Sequence, residues 1–144
     1  ITNSKGIETT KIISELTDLN IKLNITAIFT IQQIEKLVDK VMPKDEIILS
    51  IFAGRIADTG RDPSEIFLKS KNLLEKKSEK FKLLWASVRE VYNIYQASKV
   101  GSDIITVTPD ALSKINLMNK NLEQYSIETV KMFYEDAKKG NIKI

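Results

Sequence analysis

The chain contains no cysteine and no histidine. Without cysteine there are no disulfides, no thiolate zinc sites and no thiol nucleophile. Without histidine, a Ser-His-Asp triad and histidine-held metals are excluded too, so any acid–base work falls to carboxylates, lysines or tyrosines. Glycine is scarce: five residues in 144, none forming a GxGxxG or GxxxxGKS pattern. The phosphate-cradling turns of dinucleotide binders and P-loop proteins are therefore missing. No apolar run nears the roughly 20 residues needed to span a bilayer, and the start lacks the form of a signal peptide. A cytoplasmic protein is expected. Charge of one sign is also in short supply, because the net charge is only +3 and lysines alternate with acids, as in Glu75-Lys76-Lys77-Ser78-Glu79-Lys80. A nucleic-acid reader gathers its basic side chains on one face. Neither nucleic acid nor a membrane is expected as a partner.

What is present is the balance of a folded domain, with 42 % hydrophobic and 28 % charged residues. Residues 1–144 fit one domain or part of one. The first residue is Ile1 rather than methionine, which reads as a piece of something longer.

Apolar runs rich in β-branched residues alternate with amphipathic stretches. Ile12, Ile13 and Leu16 set a helical spacing over residues 10–19. The run Leu23-Asn24-Ile25-Thr26-Ala27-Ile28-Phe29 reads as a strand, and Thr30 as the N-cap of a helix carrying Ile34, Leu37, Val38 and Val41. Residues 47–52 predict a second strand that enters the loop Ala53-Gly54-Arg55. Asp62-Pro63 predicts a helix start with aspartate as N-cap and proline at the first helical position. Residues 82–86 predict a third strand, Gly101 the end of the helix after it, residues 103–107 a fourth strand, and residues 122–139 a last helix. Thr108-Pro109-Asp110 predicts one more helix start. Four strand–helix units without hairpin turns imply right-handed crossovers and a parallel sheet. Such a set forms either a small open sheet or half of an eight-unit barrel, and periodicity does not choose between them.

The polar residues inside these apolar strands carry the functional signal. Asn24 and Thr26 are two apart and share a face, as do Ser87 and Arg89. Ser50 stands near the end of its strand, with Arg55 in the adjoining loop. Burying an unpartnered polar group costs about 1–3 kcal/mol, so a polar ligand supplies a reason for this set. Two arginines and a serine near strand ends suit a phosphate, because the guanidinium fork matches its oxygens. Ion pairs of those arginines with Asp58, Asp62 or Glu90 are the plainer alternative, and strand polar groups satisfied by neighbours are the plainer account of Asn24 and Thr26. Trp85, Phe29 and Phe52 are expected in the core, and the lysine-rich stretch over residues 76–82 on a solvated face.

In order along the chain, four motifs now stand together. They are Lys22-Leu23-Asn24-Ile25-Thr26-Ala27-Ile28-Phe29-Thr30, Ser50-Ile51-Phe52-Ala53-Gly54-Arg55-Ile56-Ala57-Asp58, Leu84-Trp85-Ala86-Ser87-Val88-Arg89 and Gly101-Ser102-Asp103-Ile104-Ile105-Thr106-Val107-Thr108-Pro109. Together they resemble the last four strands of the transaldolase family, which includes the fructose-6-phosphate aldolases. The resemblance implies an α/β fold, a (β/α)8 barrel of which this chain is roughly the C-terminal half. It implies transfer of a dihydroxyacetone unit between sugar phosphates through a lysine Schiff base, with no metal and no organic cofactor. Asn24 and Thr26 would be catalytic, the first bonding a hydroxyl of the bound unit and the second holding a proton-relaying water. Ser50, Arg55, Ser87 and Arg89 would bind substrate, with Ser50 on the unit's hydroxyls and the other three on the phosphate.

The family's Lys-x-Pro lysine would lie just upstream of Ile1, and its acid–base aspartate and glutamate come from earlier strands. The chain alone is therefore expected to be inactive, with Lys22 only flanking a strand. Association with the missing half of the barrel, or with a second copy, is expected. Two other readings stay open. One is a non-catalytic sugar-phosphate-binding or structural half-barrel, and the other is a fructose-6-phosphate aldolase-like enzyme.

Overall fold

The computed structural model of the chain describes residues 1–140. It divides into two compact units, Ile1–Leu112 and Ser113–Ile144. The first holds α1 (Thr10–Asp18), β1 (Leu23–Ile28), α2 (Ile31–Lys40), β2 (Ile47–Ile51), α3 (Ala53–Ala57), α4 (Ser64–Glu75), β3 (Phe81–Trp85), α5 (Tyr92–Lys99) and β4 (Ile104–Ile105), followed by α6 (Pro109–Ser113), which runs to the boundary. The second holds a 3-10 turn and the long helix α7 (Leu122–Lys139).

The strands pair in the order β1-β2-β3-β4, and every pairing is parallel. A parallel sheet needs a crossover between neighbouring strands, and helices supply it here. The chain is thus an α/β unit of four parallel strands with helices, the architecture of half a (β/α)8 barrel.

Helix boundaries follow from local chemistry. Thr30 caps α2 in a reciprocal box: its Oγ1 accepts from the Gln33 N–H (3.3 Å) and the Gln33 Oε1 accepts from the Thr30 N–H (3.1 Å). Two of the helix's orphan donors are satisfied in this way. At α4 the Asp62 carboxylate accepts from the Ser64 N–H at 2.9 Å, with Pro63 between them. The predicted start is corrected by one residue: Pro63 is the N-cap and Ser64 the first helical residue, so the Asp62 bond belongs to the turn just before the helix. Asn121 caps α7 by accepting from the Gln124 N–H. Gly101, at φ +69, closes the segment after α5. Glu8 takes both Lys36 and Lys40, at 2.8 and 3.0 Å, tying the opening segment to α2.

One face of the sheet packs against the helices. Ile25 and Ile28 of β1, Ile47, Leu49 and Ile51 of β2, and Phe81, Leu83 and Trp85 of β3 all join one core cluster with Ile34, Leu37 and Phe67. Each such fully buried Leu, Ile or Phe contributes about 1.5–3 kcal/mol relative to exposure. Phe67 stacks on Trp85 with ring centroids 4.6 Å apart. The Trp85 indole N–H finds no hydrogen-bond partner among the described residues.

The other face is set by register. Asn24 pairs with Ile48, which pairs with Lys82; Ser50 pairs with Leu84, which pairs with Ile104. Neighbours in register share a face, so these residues form rows on the side away from the main cluster. Leu84 and Ala86 are buried but stand outside that cluster. The inner face is therefore mixed, carrying Asn24, Thr26, Ser50 and Lys82 beside Ile48 and Leu84.

Four other local readings are corrected. The segment after β2 is a short helix, α3, and not a loop. The fourth strand shrinks from five residues to Ile104–Ile105. Phe52 is only half-buried and stands outside the core cluster, whereas Phe29, 5.9 Å from it ring to ring, is half-buried but packs against that cluster. Finally, β1 is not regular. Ile25 pairs with Leu49 and Ile28 with Ile51, so Thr26 and Ala27 together oppose Ser50. Ala27 takes φ +58 to make this bulge.

Candidate functional site

The bulge decides what β1 shows to the inner face. Plain alternation would put Asn24, Thr26 and Ile28 on one side. The extra residue turns Ile28 back to the helix side, where it joins Ile25 in the core. Asn24 and Thr26 keep the inner face alone, and both are exposed.

Asn24 meets its neighbour strand. The Ser50 Oγ donates to the Asn24 Oδ1 at 2.6 Å, across 26 residues of sequence. Ser50 is 2 % exposed, and this bond gives its hydroxyl a partner. The plainer account of Asn24 as a strand residue satisfied by a neighbour thus holds for its carbonyl oxygen. Its amide donors make no hydrogen bond to the described residues. Thr26 makes none either, so the fold places it beside Asn24 without tying it down.

Past the strand ends the chain forms a second polar group. The Gly54 N–H, in α3, donates to the Ala86 carbonyl at 3.3 Å. A Cβ at Gly54 would fall 1.6 Å from the Ser87 carbonyl oxygen. Only glycine allows that approach, and it seats the segment bearing Arg55 directly against the segment bearing Ser87 and Arg89. The sequence shows the Gly-Arg pair but not this reason for it. Ser87 itself adopts φ +66, a left-handed conformation costing on the order of 1–3 kcal/mol for a non-glycine residue.

The two arginines are held differently. Arg55 lies over the Phe52 ring, 5.4 Å from its centroid, within cation–π range. Phe52 is thus a platform for an arginine and not a core residue. The Arg89 Nη2 donates to the Asp58 Oδ2 at 2.7 Å, and the two side chains are 51 % and 53 % exposed. The ion pair anticipated as the plain alternative therefore exists. A pair so exposed contributes about 0–1 kcal/mol, and a guanidinium has five N–H donors, so most of the Arg89 fork stays open.

One contributor escaped sequence reading. Asn93, on α5, accepts from the backbone N–H groups of Arg89 and Glu90 at 2.9 and 3.2 Å. Its only signal was a polar residue on a helix face four positions after Arg89. Lys82 lies in the N-terminal part of β3, in the same register row as Ile48 and Asn24. Among the described residues no group of three or more carboxylates is placed to hold a metal ion. No helix of the described residues is long and apolar enough to cross a membrane.

Comparison with known proteins identifies the family. The chain is 32 % identical over 99 residues to a "Probable transaldolase" of Mesorhizobium japonicum, covering 69 % of this chain and 44 % of that protein. It is 30 % identical over 103 residues to one of Carboxydothermus hydrogenoformans, covering 72 % and 46 %. A third, from Coprothermobacter proteolyticus, is 28 % identical over 124 residues, covering 84 % and 54 %. The chain spans about half the length of the curated relatives it matches. The family described as Transaldolase/Fructose-6-phosphate aldolase matches residues 5–144. Four parallel strands in sequence order, an inner face with paired polar groups and that match together settle the identification: the chain belongs to the transaldolase/fructose-6-phosphate aldolase family.

Proposed function

We propose that the protein to which this chain belongs is a transaldolase-type enzyme, which moves a dihydroxyacetone unit from a ketose phosphate to an aldose phosphate. The observation that carries the reading is the hydrogen bond from Ser50, the next-to-last residue of β2, to Asn24 on the inner face of the sheet, with α3 following β2 and seated by Gly54 against Ser87. Active sites of parallel barrels form at that end of the strands.

In this reading a lysine amine condenses with the ketose carbonyl and releases water. The protonated imine then accepts the electron pair of the breaking carbon–carbon bond, leaving an enamine and a free aldose phosphate. The reverse sequence with a second aldose phosphate completes the transfer. The lysine is expected just upstream of Ile1, and the acid–base carboxylates on earlier strands. The chain's own residues bind and orient. Asn24 turns its amide donors toward a hydroxyl of the three-carbon unit, and its carbonyl oxygen is already occupied by Ser50. Thr26 holds the water that relays protons. Ser50 contacts the unit's hydroxyls. Arg55, Ser87 and Arg89 grip the phosphate, which draws on the open donors of the Arg89 fork and on the guanidinium held over Phe52. The barrel is completed by the rest of the protein or by a second copy.

Adding borohydride to the full-length protein with fructose 6-phosphate should trap a reduced covalent adduct, seen as a mass increase on one lysine peptide. Folded protein that gives no adduct would remove the Schiff-base reading. A coupled assay with different acceptors then separates transfer between sugar phosphates from simple aldol cleavage.

A further inference from the structure

The turn over residues 87–90 carries two of the three proposed phosphate-binding side chains, and it has no regular structure of its own. β3 ends at Trp85 and α5 starts only at Tyr92. A turn in that position has to find partners for its backbone N–H groups elsewhere. Its early part rests on Gly54, through the Ser87 carbonyl. Its late part rests on one side chain, Asn93.

Asn93 is 7 % exposed. Its Oδ1 accepts both the Arg89 and the Glu90 N–H, and its Nδ2 donates to the Gln96 Oε1 at 2.8 Å. The Asn93 N–H in turn donates to the Glu90 carbonyl at 3.1 Å. The amide is therefore oriented from both ends, with the oxygen facing the turn and the nitrogen facing the next turn of α5. The acceptor sits on the peptide N–H of Arg89 itself, so it fixes the direction in which that residue leaves the backbone. Ser87, two residues earlier, is held at φ +66, a conformation that persists only where its surroundings over-determine it.

We propose that Asn93 is a positioning residue for phosphate binding: by accepting the Arg89 and Glu90 N–H groups it holds Ser87 and Arg89 in the arrangement that receives the phosphate of a sugar phosphate. It touches no ligand. The inference rests on the reading of Arg55, Ser87 and Arg89 as the phosphate-binding group. A residue that merely capped α5 would support the same hydrogen bonds, but its loss would lower stability without changing affinity for phosphate.

The test uses the full-length natural protein as wild type, Asn93→Ala, Asn93→Ser and Arg89→Ala. Two quantities are measured: the inhibition constant of inorganic phosphate, and KM with glyceraldehyde 3-phosphate against KM with unphosphorylated glyceraldehyde. Asn93→Ala should weaken phosphate binding about tenfold and raise KM for the phosphorylated acceptor well beyond that for the unphosphorylated one. Asn93→Ser keeps a neutral hydroxyl acceptor on a shorter side chain and should recover part of the loss; it also serves if the alanine variant does not fold. Melting that falls in Asn93→Ala and Asn93→Ser while phosphate affinity stays within twofold of wild type would overturn the proposal. An Arg89→Ala variant with unchanged phosphate affinity would instead overturn the phosphate reading on which it stands, and the two failures are told apart by which variant is silent.

Discussion

Gly54 and Ser87 approach so closely that a methyl group on the first would lie 1.6 Å from the carbonyl oxygen of the second. The obstructing atom belongs to the backbone and cannot swing aside, so relief requires α3 or the turn after β3 to shift. Gly54→Ala is expected to cost at least the upper end of the usual 1–3 kcal/mol for overpacking, read as a lower urea midpoint. The same shift separates the segment of Arg55 from that of Ser87, so phosphate affinity should fall with it.

Asn24 and Ser50 should behave as one unit. Asn24→Ala leaves the Ser50 hydroxyl buried without its acceptor, and such a group costs about 1–3 kcal/mol. Ser50→Ala removes the donor and leaves the more exposed Asn24 free to meet water, so it should cost less. A double-mutant cycle on urea unfolding is expected to show coupling of about 0.5–3 kcal/mol. Additive effects would mean that the hydrogen bond contributes little to the fold.

Asp58 and Arg89 are half exposed, so their ion pair should contribute little. Asp58→Asn is expected to change stability by less than about 1 kcal/mol, measured by thermal unfolding at two salt concentrations. Under the phosphate reading it also frees the Arg89 fork, and phosphate binding should hold or tighten.

The Asp62 carboxyl lies below the usual aspartate range, chiefly because it accepts the Ser64 N–H. A carboxyl lowered by folding contributes stability that is present above its unfolded value and lost as pH falls through its folded value. The unfolded value is about 3.9, so the loss begins as pH drops below that region. Asp62→Ala is expected to destabilise at pH 7 by about 0.5–1.5 kcal/mol, the net worth of one such hydrogen bond. It should also flatten the acid side of the stability profile, with the difference from wild type narrowing as pH falls.

Ala27 sits at φ +58 in the bulge of β1. A left-handed alanine costs roughly 1–2 kcal/mol, close to the entropy that glycine would give up there. Ala27→Gly should therefore be near neutral, whereas Ala27→Val should destabilise clearly, since a β-branched side chain resists that conformation. Calorimetry on the two variants checks the order.

Much of the sheet was legible because β-branched runs and caps act locally. Thr30 marks its helix start through a hydrogen bond three positions on and was readable, whereas Asp62 was read as an N-cap and stands one residue before it. Ser50 and Asn24 were readable as inner-face residues, but their bond spans 26 positions and depends on strand register. The bulge was hidden for a different reason. Alternation treats every strand residue alike, and only the three-residue spacing of Ile25 and Ile28 hinted that one extra residue intervenes. Glycine at position 54 was visible as part of a Gly-Arg pair, but its cause lies in a carbonyl 33 positions later (Ser87). Phe52 was misplaced because an aromatic between apolar neighbours looks like core, and a cation stacked on it leaves no trace in a hydropathy pattern. Asn93 was passed over because helix polar residues are ordinarily solvated.

The strands lie side by side in the order in which they occur along the chain. Each newly emerging strand thus finds its partner already made, one crossover earlier, and never has to wait for a distant segment. A growing polypeptide leaving the ribosome can add β2 to β1, β3 to β2 and β4 to β3 in turn, each step closing only a modest loop. Assembly of this region is suited to proceed from its first strand toward its last while synthesis is under way.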